Sequence, residues 1–420
     1  MAVFSILLML LGLLADSPSG ILRGLCRIIT ESGILITDYI AVGGIGAAFV
    51  NAGLLMLIAI LMLFMLKVDI NGISIASVFL MGSFALFGKN IFNVWLIILG
   101  VFLYAKLRGE KFKEYVHIAF LATSIAPIVT ELLFVINMPL WFRIPLSIMV
   151  GASIGFLIPP LSSHMLKLHK GFNLYNIGFT VGILGTVYVS VFKSYGYVTY
   201  SKMVWSSGND MLLGIFLTGL FLALIATGVA LHPPSIKGIP RIFRCSGQLI
   251  SDFTALEGFE ATLINMGLNG MVAIGYVLLT GAPLNGPTIG GILTVVGFGA
   301  FGKHIKNIMP VLLGVFIGSL TKLWSINDPP ILLAALFGTA LGPIAGHYGW
   351  IWGVAAGFIN SSVVLNSGIL HGGMNLYNTG FSAGIVAAIM VPILDTFRNK
   401  KTKVYYKSKT TDYLIEESKE

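Results

Sequence analysis

The sequence predicts an all-α polytopic membrane protein of about 14 apolar segments, laid out as two inverted seven-segment repeats with short or broken third segments. Three observations carry that expectation. The chain of 420 residues is 56% hydrophobic and only 10% charged, whereas a water-facing surface needs roughly 25% Asp, Glu, Lys and Arg. None of those four residues occurs between 329 and 394, a run of 66 positions, enough for about three bilayer crossings at about 20 residues each. The chain also repeats itself: a shift of 214 lays residues 38–106 on 252–320 without a gap, and 22 of the 69 pairs are identical. These numbers exclude a soluble enzyme, a nucleic-acid binder and a disulfide scaffold. A transmembrane barrel is excluded as well, because its strands alternate over about ten residues, while 40–66 and 211–231 are continuously apolar.

Taken in order, the first half offers apolar segments at 2–15, 40–66, 72–88, 90–105, 115–136, 144–163 and 176–192. The second offers 211–231, 258–280, 287–302, 307–321, 331–346, 350–365 and 378–394. Residues 2–15 lack a basic leader and a small-residue cleavage site, so they read as a first crossing rather than a signal peptide. Residues 20–37 and 240–251 mix arginines with Ile, Leu and Phe, which suits amphipathic helices at the interface or ordinary loops. The third segments are short, begin with Asn-Gly and end at Gly-Lys. Gly151, Gly155, Gly178 and Gly182 recur at four-residue spacing, the pattern that lets membrane helices approach closely.

The duplication covers the whole chain, because at an offset of 202 residues 169–183 (HKGFNLYNIGFTVGI) match 371–385 (HGGMNLYNTGFSAGI) at 10 of 15 positions. The expected units are membrane repeat 1 at 1–208, membrane repeat 2 at 209–397 and a cytoplasmic tail at 398–420. Seven segments per half is an odd number, so two like units in series lie upside down relative to one another. The net charge of +9 is read as topology, since the basic residues sit between apolar blocks and in the tail. With the N-terminus in the cytoplasm, 19 of the 26 Lys and Arg fall inside, as positive-inside bias requires. Both termini are then cytoplasmic. Two cysteines, Cys26 and Cys245, make no framework and receive no redox role.

Candidate solute-binding residues come from the two repeated polar motifs. Broken backbone at membrane depth is tolerated only where protein or a cavity surrounds it. A half-helix starting at Asn71-Gly72 or Asn285-Gly286 would aim N–H groups and a positive dipole end at an anion or polar solute; a surface turn is the alternative. The repeated Asn-Leu-Tyr-Asn places Asn173, Tyr175 and Asn176 in one half and Asn375, Tyr377 and Asn378 in the other. Such groups are costly to bury unbonded, so they either bind solute or cap the seventh helices. Lys89 and Lys303 close the short segments, either contacting an anion or snorkelling to their own interfaces. Glu131 is a carboxylate in an apolar segment, a candidate for proton coupling or for a structural bond. His169 and His371 have no ligand partners at metal spacing. No metal, cofactor or catalytic constellation is expected, and the chain is not read as an enzyme.

The motif HKGFNLYNIGFTVG and its copy, with FVNAGL and NG…FGKN, resemble a family of uncharacterised bacterial membrane proteins of unknown function over nearly the whole chain. The resemblance implies a bacterial cytoplasmic membrane location and supplies no substrate. In topology alone, seven plus seven inverted segments are similar to nucleobase and anion transporters of the purine permease type, and fold does not settle function. The expected function is a secondary transporter or facilitator of a small polar or anionic solute, with its site between the repeats. A non-transporting assembly or lipid-handling protein is the alternative. The expected partners are the solute, the lipid bilayer and a further copy of the chain in a homo-oligomer, with no nucleic acid.

Overall fold

A computed structural model describes residues 1–199 and 202–409, and it is helical almost throughout. The first half comprises α1 (Ala2–Ala15), α2 (Pro18–Thr30), α3 (Tyr39–Met65), α4 (Gly72–Phe84), α5 (Trp95–Arg108), α6 (Val116–Ala122), α7 (Pro127–Thr130), α8 (Leu140–His169) and α9 (Asn176–Ser194). The second comprises α10 (Asp210–Leu231), α11 (Ile239–Ile242), α12 (Phe253–Leu279), α13 (Gly286–Gly297), α14 (Ile305–Thr321), α15 (Pro329–Gly338), α16 (Gly342–Tyr348), α17 (Trp350–Ser367) and α18 (Asn378–Lys409). Among the described residues there is no strand, only a lone bridge between Thr37 and Val204. Seven helices are long and apolar enough to cross a membrane, or nine if the bent pairs α1–α2 and α6–α7 each count as one. Helices α4, α13 and α14 are apolar but shorter.

Several boundaries differ from expectation for local reasons. Helix α8 runs through Pro159 and Pro160 to His169 and stops where Lys170 and Gly171 both take positive φ. Residues 240–251, expected as an amphipathic helix or an ordinary loop, are mostly irregular. A 3₁₀ helix at Pro233–Gly238 leads into the single turn of α11, which ends at Ile242, and Gly247 takes φ 79° in the loop beyond. Its counterpart α2 is a full helix, capped by the Ser17 hydroxyl accepting from the Gly20 N–H. The basic part of the expected tail continues α18 to Lys409, and residues 410–420 lie outside the described residues.

Glycine sets how closely the helices pack. A Cβ at Gly100 of α5 would lie 2.1 Å from the Ala152 carbonyl oxygen of α8, and one at Gly314 of α14 would lie 2.1 Å from that of Val354 in α17. Contacts this close exchange side-chain volume for backbone dispersion contacts, the usual means of helix association in lipid. Gly44 and Gly258 have a different duty. Each stands six residues after the N-cap of α3 or α12, with φ near 87° and ψ near 165°, a conformation that only glycine adopts without strain.

The halves are joined by crossed carboxylates. Asp38 caps α3 by accepting from the Ile40 N–H at 2.9 Å, and also accepts from the Gly286 N–H of α13 at 3.0 Å. Asp252 caps α12 through the Thr254 N–H at 2.9 Å and accepts from the Gly72 N–H of α4 at 2.9 Å. Each carboxylate therefore serves its own long helix and the short helix of the opposite half.

Candidate functional site

The short helices α4 and α13 lie antiparallel at the centre, with Gly72 against the Ala300 carbonyl, Gly290 against that of Ser83 and Gly286 against that of Leu86. Beyond each, the chain unwinds while still buried. A buried carbonyl without a partner costs about 1–3 kcal/mol, and repeated asparagines meet this need. Asn51 donates to the carbonyls of Ala85 (2.7 Å) and Lys89 (2.9 Å), and Asn265 to those of Gly299 (2.7 Å) and Lys303 (2.8 Å). Asn93 and Asn307 donate to Gly88 and Gly302, both at 2.9 Å. The polar identities between the halves thus serve the broken backbone.

Lys89 and Lys303 do not snorkel. Both are fully buried, and neither makes an ion pair among the described residues. Their aliphatic stems are too deep in packed protein to reach an interface. Lys303 donates to the Tyr175 hydroxyl at 2.5 Å and to that of Thr339 at 2.7 Å, with its ammonium 4.6 Å from the Tyr175 ring centroid and 5.4 Å from that of Phe298. Lys89 instead donates to the Phe120 carbonyl at 3.3 Å and lies 5.1 Å from the Phe84 ring. Each nitrogen thus lies against aromatic faces and neutral oxygens rather than a carboxylate.

The repeated Asn-Leu-Tyr-Asn forms the contact between α9 and α18. Asn173 accepts from the Tyr175 N–H and donates across the halves to the Gly380 carbonyl at 2.9 Å; Asn375 accepts from the Tyr377 N–H and donates to the Gly178 carbonyl at 3.2 Å. Added Cβ atoms at Gly178 and Gly182 would meet Tyr377 and Phe381, and at Gly380 and Gly384 they would meet Tyr175 and Phe179. The two helices therefore run side by side in the same direction. Asn176 and Asn378 do not donate to or accept from their own helix ends. Each donates to the carbonyl of a preceding helix, Ser162 or Val364, and accepts from His169 or His371 at 3.0 and 2.9 Å. An amide oxygen only accepts, so each histidine carries its proton on Nε2, while its Nδ1 faces a backbone N–H.

Asn71 and Asn285 are N-caps, accepting from the Ser74 and Thr288 N–H groups at 3.0 and 3.2 Å. The N–H groups of Gly72 and Gly286 already face carboxylates, so neither short helix offers a free positive end. Glu131 is buried and accepts from the hydroxyls of Ser32 and Tyr197. No group of three or more His, Cys, Asp or Glu suited to a metal occurs among the described residues.

Two cavities, each walled by residues of both halves, are related to one another by the duplication. One, of about 390 Å³, is walled by Leu35, Ile36, Phe87 and Asn378; the other, of about 280 Å³, by Leu249, Ile250, Phe301 and Asn176. Each of these residues lies at the offset of 214 or 202 from its counterpart. Tyr175 and Tyr377 wall the second cavity; Phe337 walls the first and packs 6.5 and 6.4 Å from the two tyrosine rings. An aromatic core backed by buried lysines thus separates the cavities. Sequence reasoning missed Asp38, Asp252, Thr339 and Phe298. The two aspartates had a signal, being the first pair of the 214-residue repeat and a carboxylate retained in both copies.

These features define a polytopic α-helical protein fitted to a membrane. The chain belongs to the family described as "Protein of unknown function (DUF1576)", which it matches at residues 17–194 and 231–396. No curated protein and no solved structure matches it.

Proposed function

We propose that the protein is a secondary transporter or facilitator of a small solute in a bacterial cytoplasmic membrane, with its site between the repeats. The observation that supports this most is the pair of equivalent cavities held apart by an aromatic core carrying two buried lysines. A carrier needs a site reached in turn from two sides, and duplicated cavities around one barrier suit that need. The test is a thermal-shift screen of the purified protein against small organic acids and polar metabolites, followed by counterflow of the stabilising compounds in proteoliposomes. At least one compound should raise the melting temperature and exchange across the membrane. Binding without exchange would favour the non-transporting alternative, to which the structural use of Asn173 and Asn375 lends weight.

The proposed placement is inverted, with both termini cytoplasmic, and rests on the distribution of basic residues. The antiparallel α4 and α13 suit a two-fold axis perpendicular to them. The common direction of α9 and α18 supports a second placement. If both span the bilayer, that axis lies near the membrane normal and the halves share one orientation.

A further inference from the structure

We propose that the larger cavity binds an amphipathic monoanion, a carboxylate or phosphate carried on an apolar body. The inference rests on the transporter reading only for the fate of the ligand. Its volume of about 390 Å³ is at the lower end of small-ligand pockets, roughly 300–1,000 Å³. Most of the wall is apolar, with Phe87, Leu333 and Phe337 among its residues, and among the described residues no carboxylate contributes to it. Three features supply a polar end. Lys193 lines the cavity from an exposed position at the end of α9 and makes no ion pair among the described residues. Asn378 and Thr379, the first two residues of α18, also line it, so the positive end of a long helix faces the space. Thr379 is only 4% exposed and its hydroxyl makes no hydrogen bond among the described residues, so it is free to bond a ligand oxygen in the cavity it lines.

The smaller cavity serves as an internal control. At the positions equivalent to Thr379 and Lys193 stand Ile177 and Asp395, and Asp395 is paired with Lys170 at 2.8 Å. The duplication has kept two related cavities and placed anion-binding groups in one.

The experiment uses the full chain in phosphatidylcholine nanodiscs, titrated calorimetrically with 4-phenylbutyrate, 4-phenylbutanol and acetate against empty nanodiscs. The acid should bind at least about tenfold more tightly than the alcohol, and acetate should not bind measurably. Lys193→Gln and Thr379→Val should each weaken the acid about five- to tenfold and leave the alcohol unchanged; Leu333→Trp, which fills the cavity, should abolish both. Equal affinity for acid and alcohol, or an unaltered acid affinity in both polar variants, overturns the proposal. Repeating the titration with phosphatidylglycerol identifies the source of the anion: competition means a membrane lipid, and no competition means a free solute. Uptake of 4-phenylbutyrate into proteoliposomes is scored separately, so binding without uptake retains this site and removes the transporter reading.

Discussion

The rings of Tyr175 and Tyr377 meet with centroids 4.6 Å apart, and their hydroxyls have opposite fates. That of Tyr175 accepts from Lys303, whereas that of Tyr377 is buried without a partner among the described residues. The repeat makes the two positions equivalent in sequence, so the difference arises from Lys89 and Lys303 taking different acceptors. Tyr175→Phe should lower stability by about 1–3 kcal/mol, because it strips a buried ammonium of an acceptor. Tyr377→Phe should be neutral or slightly stabilising. Thermal denaturation of the two variants in one detergent checks the contrast, and equal losses would contradict it.

Asn173 and Asn375 each hold a carbonyl of the opposite half. Replacement of either by alanine should cost about 1–3 kcal/mol, since a buried carbonyl and a turn N–H both lose their partner. Affinity of the folded fraction for any ligand should not change. Melting temperature and ligand affinity measured on the same preparations separate this structural role from a binding one.

Glu131 tests whether proton coupling passes through a braced carboxylate. Burial, with Glu131 beside it, holds the Tyr197 phenol above its ordinary pKa, so Tyr197 remains a donor throughout the physiological range. Glu131 walls neither cavity. Glu131→Gln should therefore reduce stability and leave the pH profile of any uptake in place. A flattened profile would instead assign Glu131 to coupling.

The cysteines give a chemical readout of the loop before α12. Burial, and secondarily Glu257, pushes the Cys245 thiol above its ordinary pKa, and the thiolate is the reactive form. In a Cys26→Ser background, alkylation of Cys245 should be slow at neutral pH and rise about tenfold per pH unit up to pH 9. A rate that is flat with pH would mean a thiol already ionised.

Topology is decided at equivalent loops. Lys111, before α6, and Asn327, before α15, are both exposed. In a background with Cys26 and Cys245 replaced by serine, cysteines placed there should react with a membrane-impermeant reagent from opposite sides if the repeats are inverted. Reaction from one side only would establish the common orientation suggested by α9 and α18.

Helix positions were largely legible in the sequence, because apolar run length and the Asn-Gly and Gly-Lys breaks are local signals; α9 and α17 begin where expected. The site was less so. Asn71 and Asn285 were recognisable as starts of half-helices, but not that Asp252 and Asp38 would occupy those starts, since the partners lie 180 and 248 residues away. Lysines at the ends of apolar segments ordinarily reach for water. Only tertiary packing around Phe84 and Phe298 makes Lys89 and Lys303 interior residues. Thr379 carries no local signal, as its significance depends on its place in the wall of a cavity formed by distant residues.

The crossed aspartates bear on how such a chain can arise. A half produced alone would begin its short helix with a glycine N–H that lacks its carboxylate, and would carry an aspartate without the glycine N–H it accepts from across the halves. Only another copy, supplying the reciprocal aspartate, would satisfy both. The single-copy ancestor of the duplicated gene would on this basis have worked as an obligate pair. Co-expressed fragments divided near Gly208, in the loop before α10, should still find one another, while either fragment alone should be degraded.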